Sequence, residues 1–281
     1  MKFSPIDLLW VFLLLSAIQP VISQRLMDAM RRRKIADIEK KRGSRVIVMV
    51  YRQETMRFLG FPLMRYIDMN DAEAVLRAIH MTDEDVPLDI VLHTPGGLVL
   101  ASVQIARAIK AQRGKVTVFV PHMAMSGGTL IALAADEIVM CEHSMLGPID
   151  PQINGMPAAS LIHVAEQKPI AEVDDQTLIL ADMGRKATRQ LESAATELLT
   201  EHIPQERAAE IAKLLTSGTW THDYPILPAE AQKLGLPVTT NMPAEVMELM
   251  TLYPQPMRTQ QNVEYLPTKR ERPLPVVPTT K

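Results

Sequence analysis

The chain has 281 residues, of which 47% are hydrophobic and 22% are charged, and its formal net charge is -2 at pH 7. This composition is typical of a globular protein with one sizeable core or two small ones, and it gives no reason to expect nucleic acid as a partner. Aromatic residues make up 4%, which also argues against a surface on which bases stack. A lone cysteine, Cys141, excludes an intrachain disulfide and leaves the redox compartment open.

The first segment favours a membrane anchor. Residues 8–22 carry no charge and are bounded by Asp7 and Arg25. Counting from residue 4 to residue 24 brings the segment to the length of about 20 residues that a bilayer core requires. A cleaved signal peptide is the alternative, since residues 21–23 suit a cleavage site, but here the strong positive charge follows the apolar run instead of preceding it. We predict a retained transmembrane helix over residues 4–24.

A basic segment follows over residues 25–44, with eight Lys or Arg residues and a partial apolar stripe. It reads as a helix that lies on a lipid surface or pairs with a sister chain, with a solvated linker as the plain alternative. Gly43 and Ser44 are predicted to end it. Because Lys and Arg flank a membrane span on its cytoplasmic side, the pattern predicts a single-pass protein whose main domain is cytoplasmic.

Strands alternate with helices beyond this point, which is the pattern of an α/β domain with right-handed crossovers. Residues 45–52 read as a buried strand, and residues 54–68 are less regular, with a loop at 60–62. Asn70 or Asp71 is predicted to cap a helix that runs to about Met81.

Two strand–glycine–helix units carry the strongest chemical signal. In the first, apolar residues 88–94 end in Pro95-Gly96-Gly97 before a helical pattern over 98–113. In the second, residues 116–120 lead to Ser126, Gly127 and Gly128 and a small-residue helix towards residue 136. The spacing around Ser126 is one residue away from a G-x-S-x-G nucleophile elbow. An ordinary serine N-cap is the alternative, but a second glycine turn supplies the separate amides that an oxyanion hole requires.

The rest of the chain, from residue 137 onward, is predicted to continue with one strand, several helices and a tail. A strand at 137–141 and a turn-rich stretch at 146–151 precede a possible short helix at 158–167. Asp174 and Asp175 start a long helix to about Thr200, and a further helix covers 204–215. Residues 219–223 form a closing turn before a helix at 228–236. From residue 253 the chain is rich in proline and charge, so residues 253–281 are predicted to be disordered.

The succession of HTPGG (residues 93–97), SGGTLIALAAD (126–136) and EIVMCEHSMLGP (137–148) resembles the Clp-protease/crotonase superfamily. Within it, the chain is similar to the signal peptide peptidase A branch and to the serine dehydrogenase proteinase family of membrane-associated serine peptidases. The resemblance runs from about residue 45 to 238. It implies a stacked β-β-α spiral for residues 45–252, hydrolysis of signal-peptide-like or other membrane-associated peptides, and assembly into homo-oligomers.

On this resemblance Ser126 is the nucleophile, and the turn residues Gly96, Gly97 and Gly127 bind the substrate or its oxyanion. The signal peptide peptidase branch pairs its serine with a lysine just before a long helix. Lys168 matches that place, 42 residues after Ser126, and Lys186 lies further on, inside the predicted helix. A lysine base must be neutral, which requires burial.

Histidine is the usual base for a serine, and the chain has seven histidines. His93 and His122 precede the two glycine turns, His143 ends a strand and His163 lies in a linker, but none of these four has a distinguishing partner in the sequence. On the resemblance we predict a Ser–Lys dyad in which Lys168 is the base of Ser126, with Lys186 or a histidine as the alternatives.

The sequence contains no Walker A motif, no G-x-G-x-x-G fingerprint and no metal-spaced His/Cys set, so we expect no cofactor and no metal, and proteolysis that is independent of ATP. Two rivals remain. Crotonase-like thioester chemistry shares the paired amides but needs no serine at the turn. An inactive scaffold of the same fold would hold peptides or organise a membrane assembly.

Overall fold

The structure, a computed structural model, describes residues 5–52, 56–58, 61–63 and 65–253. The helices are α1 (Pro5–Arg42), α2 (Met69–His80), α3 (Val99–Lys110), α4 (Gly127–Ala132), α5 (Ala158–Gln167), α6 (Asp175–Leu199), α7 (Gln205–Thr216), α8 (Pro228–Leu234) and α9 (Ala244–Thr251). The strands are β1 (Arg45–Val50), β2 (Met56–Phe58), β3 (Phe61–Leu63), β4 (Leu88–His93), β5 (Val116–Val120), β6 (Met123–Ala124), β7 (Glu137–Met140), β8 (Met145–Leu146), β9 (Gln152–Ile153), β10 (Met156–Pro157) and β11 (Val238–Thr239).

A five-stranded parallel sheet in the order β1-β4-β5-β7-β11 forms the centre of the fold. Its register aligns Ile47 with Ile90, Val118 and Ile138 across four strands. Every residue of β4 is buried. A parallel sheet is covered on both faces, which explains why its strands are continuous apolar runs without the alternation of a half-exposed strand.

The two faces of the sheet have cores of unequal size. Ile90 and Val118 belong to the large core, which also takes in side chains of α2, α3, α4, α6 and α7. Val91 and Phe119 point to the opposite face, where the end of α1 and α9 cover them with a smaller cluster. Successive strand residues alternate between faces, so both cores come from the same short runs.

A second, smaller layer lies beyond the carboxyl ends of the central strands. β6 pairs with β8 in parallel, and isolated bridges join Thr94 to Ala124 and Leu146 to Ile226. β5, β6 and α4 therefore form a β-β-α unit, in agreement with the spiral that the resemblance implies. Ser126 lies between the second strand of this unit and its helix.

α1 runs without a break from the predicted anchor through the basic segment, and it ends at Arg42 before Gly43, which has φ 64°. Its second half is part of the folded domain: Ile38 is 2% exposed, Lys34 and Lys41 form ion pairs with α9, and Arg31 donates to the carbonyl of Leu252. Arg42 also forms an ion pair with Asp89. Four basic side chains of the segment predicted to meet lipid therefore bind other parts of the folded domain.

In the part of the chain that the structure describes, no helix has a stretch both long and apolar enough to cross a membrane. The transmembrane helix at residues 4–24 is not confirmed and stays a prediction. The predicted disorder of the tail, residues 253–281, falls outside the described residues after Tyr253.

Several boundaries differ from the sequence prediction. α2 is capped by Asp68 and not by Asn70 or Asp71, because the Asp68 carboxylate accepts from the amides of both, while the Asp71 carboxylate accepts from the Asp68 amide. α4 ends at Ala132, so the predicted buried helix is only six residues long. The irregular region contains the β2–β3 hairpin, whose connection at residues 59–60 lies outside the described residues. The sequence analysis missed β11, α9 and the β9–β10 hairpin.

Candidate active site

Ser126 occupies a strained turn between β6 and α4. Its φ of 51° and ψ of -116° lie in a region that residues with a side chain rarely adopt. Although Ser126 holds the N-cap position of α4, its side chain makes no capping hydrogen bond. The alternative of an ordinary serine N-cap therefore does not describe this residue, and the hydroxyl is half-buried and available for another role.

The first glycine turn, residues 95–97, lies directly against Ser126. Gly96 has φ 113°, and a Cβ built on it would lie 2.8 Å from the Cβ of Ser126. A Cβ on Gly97 would lie 2.3–2.6 Å from the backbone N, Cα and O atoms of Ile67. Hydrogen bonds from Ile67 to Gly96 and from Leu98 to Ile67, of 2.9 and 2.8 Å, hold this close approach. Glycine is required at both positions because any side chain would overlap a neighbour.

Gly97 and Gly127 line a common cavity. A Cβ on Gly127 would lie 3.5 Å from the Gly97 nitrogen, and both residues line one cavity with Ser126. Among the described residues, neither the Gly97 amide nor the Gly127 amide donates to a backbone carbonyl in a turn, loop or cap. Because α4 has only six residues, its dipole is weak, and the predicted oxyanion hole depends on the two amides.

Ser102 closes this space from behind. It lies in the first turns of α3, is fully buried, and its Oγ would be 2.3 Å from a Cβ on Gly127. Its hydroxyl has no hydrogen-bond partner within the described residues. The side chain therefore fills the room behind Gly127 and keeps that position a glycine.

The cavity at Ser126 has a volume of about 80 Å³, and it also reaches a histidine and an aspartate. Nδ1 of His222 lies 2.8 Å from Oδ1 of Asp150, which is 4% exposed. Gln152 donates to the other carboxylate oxygen at 2.7 Å. In the tautomer of His222 that donates from Nδ1 to the Asp150 carboxylate, Nε2 is the acceptor.

Backbone contacts in the second layer bring His222 to Asp150. Leu146 and Ile226 exchange two hydrogen bonds of 3.0 and 2.9 Å, which join the two segments in antiparallel fashion. The ring of Trp220 stacks on that of Tyr224 at 5.0 Å and braces the turn that carries His222. The amide of Ile149 donates to the carbonyl of Leu215 and fixes the chain next to Asp150. Both side chains are thus anchored by packed backbone.

The structure does not bring the predicted lysine to Ser126. Lys168 follows the last residue of α5, is exposed, and is absent from the residues that line the cavity. Lys186 is exposed on α6 and pairs with Asp182 at 2.5 Å. His163 is also exposed, on α5. The assignment of Lys168 as the base stays a prediction.

His93 and His122, which precede the two turns, pack edge to face with ring centroids 5.5 Å apart. Burial, with smaller contributions from Arg52 and His122, lowers the pKa of His93 to about 4. Burial and then Arg52 also lower the pKa of His122. Nδ1 of His93 is buried without a hydrogen-bond partner in the described part of the chain. Neither ring lines the Ser126 cavity.

Sequence reasoning missed Asp150 and His222 as site residues. They are 72 residues apart, and no motif spacing connects them. The available signal was the turn-rich stretch at 146–151, which holds an acidic residue between apolar neighbours.

Comparisons with known proteins agree with the α/β fold and with a serine nucleophile. A family model described as ClpP-like SDH-type serine proteinase matches residues 2–274. The uncharacterized proteins MJ1495 and MJ0137 of Methanocaldococcus jannaschii are 50% and 47% identical to the chain over 258 residues. The matches cover 92% of this chain and 88% and 90% of the two relatives.

Two solved structures of the 1510-N membrane-bound stomatin-specific protease were also found. One is a serine-to-alanine mutant, which is 23% identical with a TM-score of 0.45 and covers 66% of this chain and 79% of its own. The other is a lysine-to-alanine mutant in complex with a substrate peptide, which is 24% identical with a TM-score of 0.45 and covers 65% and 74%.

Proposed function

The chain belongs to the ClpP-like SDH-type serine proteinases, and on that premise we propose that it is an endopeptidase in which Ser126 attacks the scissile carbonyl and His222, oriented by Asp150, is the base. The observation that carries the proposal is the single small cavity lined by Ser126, His222, Asp150 and the two turn glycines. The fold class and the serine peptidase activity follow from the family, and the roles of the individual residues are our proposal.

In the proposed reaction, the Ser126 hydroxyl passes its proton to Nε2 of His222 as its oxygen bonds to the carbonyl carbon. The amides of Gly97 and Gly127 donate to the resulting oxyanion, which is where such donors contribute most. The imidazolium, stabilised by Asp150, then gives its proton to the leaving amine. A water molecule, activated by the same histidine, hydrolyses the acyl-enzyme and restores Ser126.

The Ser–Lys dyad is the second candidate for this chemistry. Its support is the position of Lys168 along the sequence, shortly before α6, together with the resemblance to the signal peptide peptidase branch. The exposure of Lys168 counts against it, because a lysine base has to be buried to be neutral.

One series of variants separates the two bases. A fluorophosphonate probe, which labels an activated serine, should label wild type and not Ser126→Ala. His222→Gln should lower labelling and peptide hydrolysis by about 10³-fold or more, and adding Ser126→Ala should make little further difference, since the groups act as a unit. Asp150→Asn should follow His222→Gln.

Lys168→Ala and His143→Gln, which change exposed residues, are the matched controls and should keep wild-type activity. A dead Lys168→Ala with an active His222→Gln would establish the lysine dyad in place of the histidine. Absence of both labelling and hydrolysis in correctly folded wild type would favour the inactive scaffold.

We also propose that the peptidase is membrane-anchored through residues 4–24, works without ATP on membrane-associated or signal-peptide-like substrates, and forms homo-oligomers. Sequence supports the anchor: the uncharged run at 8–22 is followed by eight basic residues up to Arg42. That charge pattern favours a cytoplasmic domain. Protease added to spheroplasts should leave the domain intact, and its digestion from outside, or a mature chain that begins at Gln24, would invert this topology.

A further inference from the structure

A large cavity between α3 and α6 lies next to the cavity at Ser126. The α3–α6 cavity has a volume of about 840 Å³, roughly ten times that of its neighbour. Val99, Pro151 and Leu191 line both cavities, so the two are neighbours that share these three side chains. Val103 and Ile153 add to the apolar lining, and Leu100 stands at the wall with 69% of its surface exposed. This surface suits a side chain of a peptide that is held at Ser126.

The charged lining of the α3–α6 cavity has one sign. Arg107, Lys186 and Arg189 line it, and none of its lining residues is acidic. Glu197 pairs with Arg107 at 2.7 Å, and Asp182 pairs with Lys186 at 2.5 Å. Arg189 has no hydrogen bond and no ion pair within 4 Å among the described residues, and its charge acts at longer range on Asp182, the partner of Lys186. Its five N–H groups are therefore available to a carboxylate, which a guanidinium binds in a two-pronged geometry.

The position of the α3–α6 cavity beside the Ser126 cavity and the charge of its lining together indicate the occupant. Resting on the peptidase function proposed above, we propose that the α3–α6 cavity is a substrate subsite for a peptide segment with a large apolar side chain next to an acidic residue. The apolar side chain contacts Val99, Val103 and Leu191, and the carboxylate of the adjacent Asp or Glu binds Arg189.

The expected preference is modest. Arg189 is exposed, and ion pairs in contact with solvent contribute little, so replacing the acidic residue by its amide should lower kcat/KM about three- to fivefold. The effect should appear mainly in KM, since the contact is remote from the reacting atoms. Raising the salt concentration to about 1 M, where the Debye length is about 3 Å, should abolish the preference.

The test uses internally quenched peptides in which one position at a time is fixed as Glu, Gln or Lys beside a leucine. Wild type should prefer Glu at one position, Arg189→Gln should show no preference between Glu and Gln, and Arg189→Glu should prefer Lys. Arg185→Glu is the matched control, because Arg185 lies on the same helix, pairs with Glu166 and is absent from the cavity lining. It should keep the preference of wild type.

Two further readouts separate this proposal from the peptidase assignment. Fluorophosphonate labelling of Ser126 should be unchanged in all Arg189 variants, because the probe does not occupy the α3–α6 cavity. Binding of the Glu and Gln peptides to Ser126→Ala, measured by fluorescence anisotropy, should show the same acidic preference without turnover. Labelling and hydrolysis with equal use of Glu, Gln and Lys would overturn the subsite and leave the peptidase standing. Wild type that is not labelled but still binds the Glu peptide more tightly than the Gln peptide would overturn the peptidase assignment and leave the subsite standing.

Discussion

The first glycine turn (residues 95–97) and the nucleophile turn (residues 126–128) lie side by side and are built alike, but they are confined by different atoms. Each follows a strand. The Thr94 amide donates to the carbonyl of Met123, and the Met125 amide donates to the carbonyl of Thr94, both at 3.0 Å, which ties the turns together. Backbone atoms of Ile67 leave no room at Gly97. At Gly127 and Gly128 the nearest atoms belong to side chains, those of Ser102 and Thr94.

The turns also differ in which residue carries the unusual backbone conformation. In the first turn a glycine, Gly96, has the positive φ, at no steric cost. In the second it is Ser126, a residue with a side chain, so the conformation is strained. The strained backbone thus coincides with Ser126, the residue proposed as the nucleophile, and the first turn, whose Gly97 amide is proposed to bind the oxyanion, has its positive φ at a glycine.

The largest effect is expected from Gly97→Ala. The new methyl group would overlap backbone atoms of Ile67 at 2.3–2.6 Å, and backbone cannot move aside as a side chain can. We expect the free energy of unfolding in urea to fall by about 3 kcal/mol or more. Gly184→Ala is the matched control, because neither glycine has a positive φ and the nearest atom to the added methyl at Gly184 is the Cβ of Ala158 at 3.2 Å. Similar losses for both variants would show that overlap with Ile67 is not the cause.

Gly127→Ala should lower the free energy of unfolding by less, about 1–3 kcal/mol, and adding Ser102→Ala should restore part of this loss. The overlap is with Oγ of Ser102 at 2.3 Å, while the next atom, its Cβ, is at 3.1 Å. Ser102→Ala removes a hydroxyl that has no partner among the described residues, so alone it should cost little. A double-mutant cycle should give a favourable interaction between the two changes, and strict additivity would contradict side-chain confinement.

Ser126→Gly should lose all fluorophosphonate labelling but be more stable than wild type. Its free energy of unfolding in urea should be higher by about 1 kcal/mol. Glycine accepts φ 51° without strain, and this gain exceeds the added entropy of the unfolded chain. Ser126→Ala, which keeps a Cβ, is the control and should be equally inactive without the gain. Equal stability of the glycine and alanine variants would mean that the turn is not strained.

The smallest effect concerns the histidines that precede the two turns. The pKa of His93 is lowered from 6.5 to about 4, so the folded protein favours its neutral form. Its contribution to stability is complete above about pH 6.5 and is lost as the pH falls towards 4, because the unfolded chain takes up the proton first. From pH 7 to pH 6 the loss should be less than about 1 kcal/mol. His93→Gln should flatten this slope, and His143→Gln, at an exposed histidine, should leave it unchanged.

Much of the fold was predictable because its signals are local. The apolar runs gave β1, β4, β5 and β7, the helical spacing gave α3, and Asp174 was correctly expected at the start of α6, which it caps. The two glycine turns were also predictable, since a strand that ends in glycines before a helix constrains its own backbone. Helix lengths were less reliable: the small-residue run after Ser126 looked helical to residue 136 but ends at Ala132.

The amino-acid sequence by itself determined that a serine stands in a glycine turn between a buried strand and a helix, because a few adjacent residues impose that geometry. The tertiary structure decided what lies around the serine. Asp150 and His222 meet because Leu146 and Ile226 pair in the second layer, and the basic half of α1 binds α9 through contacts across more than 200 residues. Spacing along a chain carries no information about such pairs, since the packing of distant segments, and not local backbone preference, brings them together.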